Sequence, residues 1–370
     1  MLCSGKYNEP IIPTCQGQEN FVGKILHSET FRTSDVVEGK QVLVVGGSHS
    51  AGDVAVHARK AAKQVYLSTR DGTWLVRRSG PGGVPQDTVL NRLFMLWLPG
   101  WFKEFLANIF FFSNINHQQL GLQSSRRCFN APSMLNDVMQ VEIMCGKILP
   151  RPGIDHFTSK GVVFKDGTSV DVDVVIFATG YKRKNRYIDS AILQDDIHSQ
   201  ELYKDVFPPR LEHPTCACIG STDLFGPHGP CFELQTRWAV KVFKGQCTLP
   251  PIEKMMDEIQ ETRENNRKKF GKDKRFVSFV SYEYDLADKI GVRPRLASLL
   301  FRDPFLGFRV FFGPALPSIY RLNGPHSWNG ARNAIMGYRN ASSKSTRIPK
   351  PNTKSFNRLY HRLALLIIRR

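Results

Sequence analysis

The stretch QVLVVGGSHSAGD, Gln41 to Asp53, decides the fold. Its apolar run, Val42 to Val45, has no polar alternation, the pattern of a central strand in a parallel sheet covered on both faces. Two glycines follow, Gly46 and Gly47, and then Ser48 and Ser50, either of which can cap a helix. That helix carries Val54, Ala55, Ala58 and Ala61 on a small-residue face able to approach a sheet closely. A second strand, QVYLSTR from Gln64 to Arg70, completes a βαβ unit of the length that dinucleotide-binding folds require.

In the dinucleotide fingerprint the first glycine makes the tight turn, the second leaves the backbone bare for a pyrophosphate, and the third allows close helix packing. Gly46, Ser48 and Ala51 occupy these positions here. The alanine is an accepted variant, whereas Ser48 sets a side chain where the backbone should be bare. The competing reading is a tight strand-to-helix turn with no ligand. A hydrolase reading fails, because the nucleophile-elbow pattern G-x-S-x-G needs glycine where Ser50 stands.

The end of the second strand bears on the choice of nucleotide. NAD-binding units place Asp or Glu there for the ribose hydroxyls, but this chain has Ser68, Thr69 and Arg70. A guanidinium offers a bidentate partner to a 2′-phosphate and favours NADP. The alternative is a solvated arginine neutralised by its neighbour Asp71.

At 370 residues the chain can bury a substantial core and hold two domains. With 51 Lys and Arg against 33 Asp and Glu, the net charge of +18 favours contact with an anionic surface or ligand. No zinc-finger spacing or continuous basic-aromatic module appears, so nucleic acid is not expected as a partner. The scattered cysteines read as reduced thiols, and no metal site is expected.

Two segments suggest a membrane surface. NRLFMLWLPGWFKEFLANIFFF, Asn91 to Phe112, is dense in aromatics but broken by Pro99-Gly100 and carries Lys103 and Glu104. It reads as an interfacial segment, with Phe110, Phe111 and Phe112 among its anchors, or else as an ordinary core helix. The C-terminal RLYHRLALLIIRR has an apolar run, Leu363 to Ile368, far shorter than a bilayer span. Elsewhere, Asp166-Gly167 predicts a hairpin, Val174 to Phe177 a buried strand and Cys216 to Gly220 another strand. FELQTRWAVKVFKG reads as a helix, and a charged helical pattern extends from Pro250 to about Lys274. Residues 341–357 read as a flexible linker. The class is α/β.

FVGKILHSETF places Phe21, Gly23, His27 and Phe31 in the F-x-G-x-x-x-H-x-x-x-F/Y pattern of flavin-containing monooxygenases. The glycine turn follows at the family's spacing, and FATGY, Phe177 to Tyr181, comes later. LQTRWAVKVFKGQCTLP and NGPHSWNGARNAI also resemble the microsomal, vertebrate-type members. The resemblance covers essentially the whole chain. It implies an α/β, two-dinucleotide-binding-domain (Rossmann-like) flavoprotein fold with an inserted NADP-binding domain, and an enzyme using FAD and NADPH.

The implied reaction is oxygenation of soft nucleophiles, amine nitrogen or thioether sulfur in xenobiotics, by dioxygen through a flavin C4a-hydroperoxide. The resemblance sets Gly46, Ser48 and Ala51 at the NADP pyrophosphate turn with Ser50 beside it, and Thr69 and Arg70 at the 2′-phosphate. It makes His27 a structural hydrogen-bonder at a domain junction, and it implies the cytosolic face of the endoplasmic reticulum membrane. The family's flavin fingerprint and its catalytic asparagine have no match here, so no catalytic residue is assigned and an N-terminally truncated fold is expected.

The implied plan assigns residues 1–36 to a remnant of the FAD domain and 37–180 to the NADP domain, with the aromatic segment 91–112 inside it. Residues 181–340 then return to the FAD domain, and 341–370 are linker and tail. The competing functional reading is a catalytically inert remnant that binds NADPH weakly or acts only through protein contacts.

Overall fold

The computed structural model describes residues 1–80, 83–112, 115–127, 132–182, 201–270 and 276–342. The run from Gln41 lies at the centre of a five-stranded sheet. Its strands are β1 (Lys24–His27), β2 (Gln41–Val45), β3 (Gln64–Ser68), β4 (Ile148–Arg151) and β5 (Val174–Phe177), in the order β1-β5-β2-β3-β4. Every neighbouring pair is parallel.

Both faces of β2 are covered, as the unbroken apolar run predicts. Val42 and Val44 point into one cluster with Ala51, Ala55 and Ala58 of helix α1 (His49–Ala58), and all five are fully buried. Leu43 points the other way, into a cluster with Phe21, Phe157, Phe164, Val175 and Phe177. On that side lies a three-stranded antiparallel sheet, Ile154–Phe157, Gly161–Phe164 and Ser169–Asp171. The predicted Asp166-Gly167 turn joins its last two strands, with Gly167 at φ +81°.

The second core is helical. Trp238, Leu234 and Ala239 of the helix His228–Phe243 pack with Phe279, Leu286 and Ala287 of the helix Phe279–Ile290 and with Val310, Ile319 and Tyr320. Residues 1–11 belong to this side: Leu2 N–H donates to Ala217 O, Lys6 Nζ reaches Asp223 at 2.6 Å, and Glu9–Pro10 pairs with Tyr181–Lys182.

Several expectations are corrected. The second strand stops at Ser68, whose pairs with Val45 and Arg151 are the last of their ladders, the Thr69 N–H to Arg151 O bond closing the latter. Cys216 to Gly220 is not a strand: it makes one isolated bridge, Leu2 with Cys218, and its N–H groups find scattered partners, Val206 O for Cys218 and Leu2 O for Ile219. Gly220 at φ +85° then turns the chain away. The helix read from FELQ starts earlier, at His228, and the charged helix runs Ile252–Phe270, starting just after Pro250-Pro251, with predicted residues 271–274 lying outside the described residues. The helix Ala331–Ser342 takes in the first two residues of the expected linker, and the remainder, with the tail, lies outside the described residues.

Candidate dinucleotide-binding site

The turn between β2 and α1 is held from behind. Gly46 has φ +151°, and a Cβ there would stand 2.5 Å from the carbonyl oxygen of Ala178, which follows β5. Thr73 Oγ1, fully buried, donates to Gly47 O at 2.6 Å and fixes the next residue. Ala51 takes the third fingerprint position with its methyl group against the sheet, in the cluster that holds Val42 and Val44.

Ser48 is the N-cap residue of α1, but its side chain caps nothing. Its hydroxyl donates to Ser133 O at 3.3 Å instead. The first-turn N–H groups of a helix have no intrahelical acceptor, so this helix start, with Ser48, His49 and Ser50 all exposed, offers uncapped donors at the positive end of the helix dipole. His49 is fixed sideways, its Nδ1 accepting from Leu135 N–H at 3.1 Å, and partial desolvation of the ring by the protein packed around it, with the charge of Arg78, lowers its pKa although its outer edge is open to solvent.

At the end of β3 the three residues read from the sequence separate. Ser68 is buried and donates to Pro152 O at 2.7 Å, and Thr69 is buried with its N–H on Arg151 O. Only Arg70 projects into solvent, 72% exposed, with Nε 3.4 Å from Asp71 Oδ2. Asp71 therefore does pair with it, as the alternative reading required. An exposed ion pair of this kind contributes about 0–1 kcal/mol, too little to hold the guanidinium against a phosphate dianion.

The family model described as flavin-binding monooxygenase-like matches residues 1–368. The chain belongs to that family. Dimethylaniline monooxygenase [N-oxide-forming] 2 of Rattus norvegicus is 38% identical over 95% of this chain, and flavin-containing monooxygenase 3 of Homo sapiens is 36% identical over 91%. The chain spans 66% and 65% of the length of these two relatives. Among solved structures, the S-allyl-L-cysteine S-oxygenase of Allium sativum superimposes with a TM-score of 0.55 at 20% identity, over 92% of this chain and 63% of that one. The NADP+-bound cyclohexanone monooxygenase of a Rhodococcus species gives 0.50 at 13%, over 78% and 72%. These likenesses agree with the α/β, two-dinucleotide-binding-domain class of fold.

The family's signature histidine has a defined geometry. His27, at the end of β1, is buried; its Nε2 donates to Gly180 O at 3.1 Å and its Nδ1 accepts from Glu29 N–H at 3.2 Å. Both ring nitrogens are consumed by backbone. It thereby ties β1 to the FATGY segment, whose Thr179 hydroxyl donates in turn to Ile11 O.

Sequence reasoning missed the residues that support the turn from outside it. Thr73 lies past the second strand and matches no motif. Asp53 on α1 pairs with Arg78 at 2.7 Å and accepts from Asn136 Nδ2 at 3.1 Å, bracing the helix against the strand Ser133–Leu135. Nothing in local spacing signals either contact.

Proposed function

We propose that this chain carries the NADPH-binding unit of a flavin-dependent monooxygenase whose reaction is the oxygenation of soft nucleophiles, amine nitrogen or thioether sulfur, with dioxygen. The observation that carries the reading is the open helix start beyond Gly46, with a solvent-exposed arginine, paired only with its surface neighbour Asp71, at the end of the adjoining strand, in a chain of this family. The relatives' N-oxide-forming activity supports the substrate class.

The residues fit NADPH. In this reading Gly46, Ser48, Ser50 and Ala51 form the pyrophosphate turn, the first-turn N–H groups of α1 donate to it, and Thr69 and Arg70 mark the 2′-phosphate end. When bound, NADPH supplies the hydride that reduces the flavin. The protein's share is to bind and orient: Thr73 and Ala178 hold the turn rigid, so the donors need no rearrangement to meet the nucleotide. For FAD the case differs. The sequence holds no second G-x-G-x-x-G-type fingerprint, so we assign no residue to the flavin and derive no step through it. In the proposed division residues 37–180 form the NADP unit, with β1 added to its sheet, and residues 1–11 join 181–340 in the flavin portion.

If this reading holds, the chain binds NADPH more tightly than NADH, and Arg70→Ala reduces that preference by about 1.5–3 kcal/mol, the range for a hydrogen bond to a charged group. Titration of both nucleotides by calorimetry measures it. Equal affinities in the unsubstituted chain end the reading.

We also propose peripheral attachment to an anionic membrane, at the cytosolic face of the endoplasmic reticulum. No helix among the described residues is long and apolar enough to cross a bilayer. The aromatic segment divides into two faces. Leu93, Met95, Ala107 and Phe111 are core, whereas Trp97, Trp101 and Phe105 are 59%, 71% and 52% exposed. Of the anchors expected at Phe110 to Phe112, Phe111 is thus buried, and Phe112 packs on Trp74 and His117, leaving only Phe110 exposed.

The exposed face continues onto the helix Pro304–Phe312, where Phe94 and Trp97 meet Phe311 and Phe312, Phe308 packs one side of its ring on Phe312 and is otherwise exposed, and Phe305 projects into solvent with the nearby Phe301. Aromatic burial is insensitive to salt and headgroup attraction is screened by it. High salt should release the chain from membranes in part and detergent should release it completely. Trp101→Glu with Phe105→Glu should leave it soluble at low salt, as read by flotation with vesicles containing phosphatidylserine. Unchanged flotation of the double variant refutes the attachment.

A further inference from the structure

We propose that Arg126 is a second anchor for the nucleotide's 2′-phosphate, so that preference for NADP over NAD is set by an Arg70–Arg126 pair joined across Asp71. The inference rests on the nucleotide reading above. It adds a residue that no motif points to, carried by a loop far from the βαβ unit in sequence.

The two guanidinium groups converge on one carboxylate oxygen. Arg70 Nε lies 3.4 Å and Arg126 Nη2 3.8 Å from Asp71 Oδ2. Both arginines and the aspartate are open to solvent, so an incoming anion can reach them. Two positive charges against one negative leave a net positive site at the strand end. A 2′-phosphate, with about two charges and three acceptor oxygens, satisfies two guanidinium forks better than one carboxylate does.

Arg126 is placed by backbone contacts. Gly72, at φ +75°, lets its loop pack directly on residues 123–124: a Cβ there would stand 2.2 Å from Gln123 O and 2.7 Å from Ser124 Cα. Thr73 N–H donates to Leu122 O at 2.9 Å, and the Trp74 indole donates to Arg126 O at 2.9 Å. Ser124 Oγ accepts from Arg126 N–H at 3.2 Å. The loop is thus fastened by the residues that directly follow Arg70 and Asp71, which fixes the backbone of Arg126 within reach of the strand end before any ligand arrives. The neighbouring Arg127 turns away, toward Glu104 at 3.7 Å.

The test uses the full chain and equilibrium binding of adenosine 2′,5′-bisphosphate and of 5′-AMP, which differ only in the 2′-phosphate. The unsubstituted chain should prefer the bisphosphate, and Arg126→Ala should weaken bisphosphate binding about 10-fold while leaving 5′-AMP unchanged. Arg126→Lys, which keeps the charge and loses the fork, should fall between. If the unsubstituted chain binds neither compound, or binds both equally, the nucleotide reading fails and this proposal with it. If the chain discriminates, Arg70→Ala abolishes the preference and Arg126→Ala leaves it intact, only the role of Arg126 is overturned. Equal weakening of both compounds in Arg126→Ala assigns that residue to loop structure and also overturns the proposal.

Discussion

Replacing Glu283 by glutamine is expected to flatten the dependence of stability on pH and to make the protein more stable above pH 8. Glu283 is fully buried in the helical core, where Tyr320 O–H donates to its Oε2 at 3.0 Å and the Cys231 thiol lies 3.7 Å from its Oε1. Among the described residues no cation pairs with it. Burial pushes its pKa from the ordinary 4.5 up to about 8, with nearby Glu233 adding to the rise, so the folded protein holds this carboxyl neutral.

The unfolded chain releases that proton near pH 4.5, whereas the folded protein keeps it to about pH 8. The folded state therefore binds more protons through this window, and stability falls as pH rises across it, in total by something on the order of 5 kcal/mol. Glutamine keeps an oxygen for Tyr320 and has no proton to lose. Thermal unfolding from pH 5 to 9 should show the parent's midpoint dropping and the variant's holding. Parallel curves would mean that Glu283 reaches solvent or a partner and is not held neutral.

Gly46→Ala is expected to cost about 3 kcal/mol or more and to abolish nucleotide binding. The position combines a φ of +151° with a backbone oxygen 2.5 Å from where the new methyl carbon would stand. Neither can relax cheaply. The oxygen belongs to Ala178, whose own N–H is bonded to Val45 O, and Gly46 N–H is bonded to Ser68 O, so movement on either side breaks a bond at the sheet's edge of the turn. A fall of about 5–10 °C in the melting midpoint should appear. Gly47→Ala is the control, because a Cβ there meets nothing closer than 3.6 Å. Equal melting of the two variants would show that the turn adapts.

What the sequence makes legible is whatever is local. The run Val42 to Val45, the glycines and the alanine face of α1 together announce strand, turn and helix, and each is found where the pattern puts it except that α1 ends at Ala58, leaving the expected Ala61 in the turn that follows. Asp166-Gly167 is equally local and equally visible. Pairing partners are a different matter, because hydrophobic pattern says that a strand is buried and not beside what. Nothing in KILH shows that it is the edge of the same sheet, and nothing in VVIF that it lies between that edge and β2. Cys216 to Gly220 misleads because an apolar run can be buried by irregular backbone as well as by a ladder. In the site, Arg70 follows from the strand's end, but Thr73 and Arg126 are brought there by a loop packing that only the folded backbone reveals. The aromatic segment illustrates the same limit: composition marks Trp101 and Phe111 alike, and only packing separates the solvent face from the core.

The strand order β1-β5-β2-β3-β4 also sets a clock on synthesis. β5 fills the gap between β1 and β2, its Val174 beside Lys24 on one side and Val42 on the other. A nascent chain therefore carries the edge strand β1 without its one ladder partner, and β2 with one edge bare, until residue 177 has left the ribosome. At roughly 5–20 residues per second, the stretch from residue 45 to 177 leaves those edges open for about 7–26 s, with the aromatic segment emerging in the same interval. Non-local parallel pairing is slow even once every strand is present. Chaperone occupancy on ribosome-bound chains should accordingly rise before residue 112 appears and fall only after β5 is clear of the exit tunnel, which makes insertion of β5 between β1 and β2, and not the glycine turn, the step that closes this sheet.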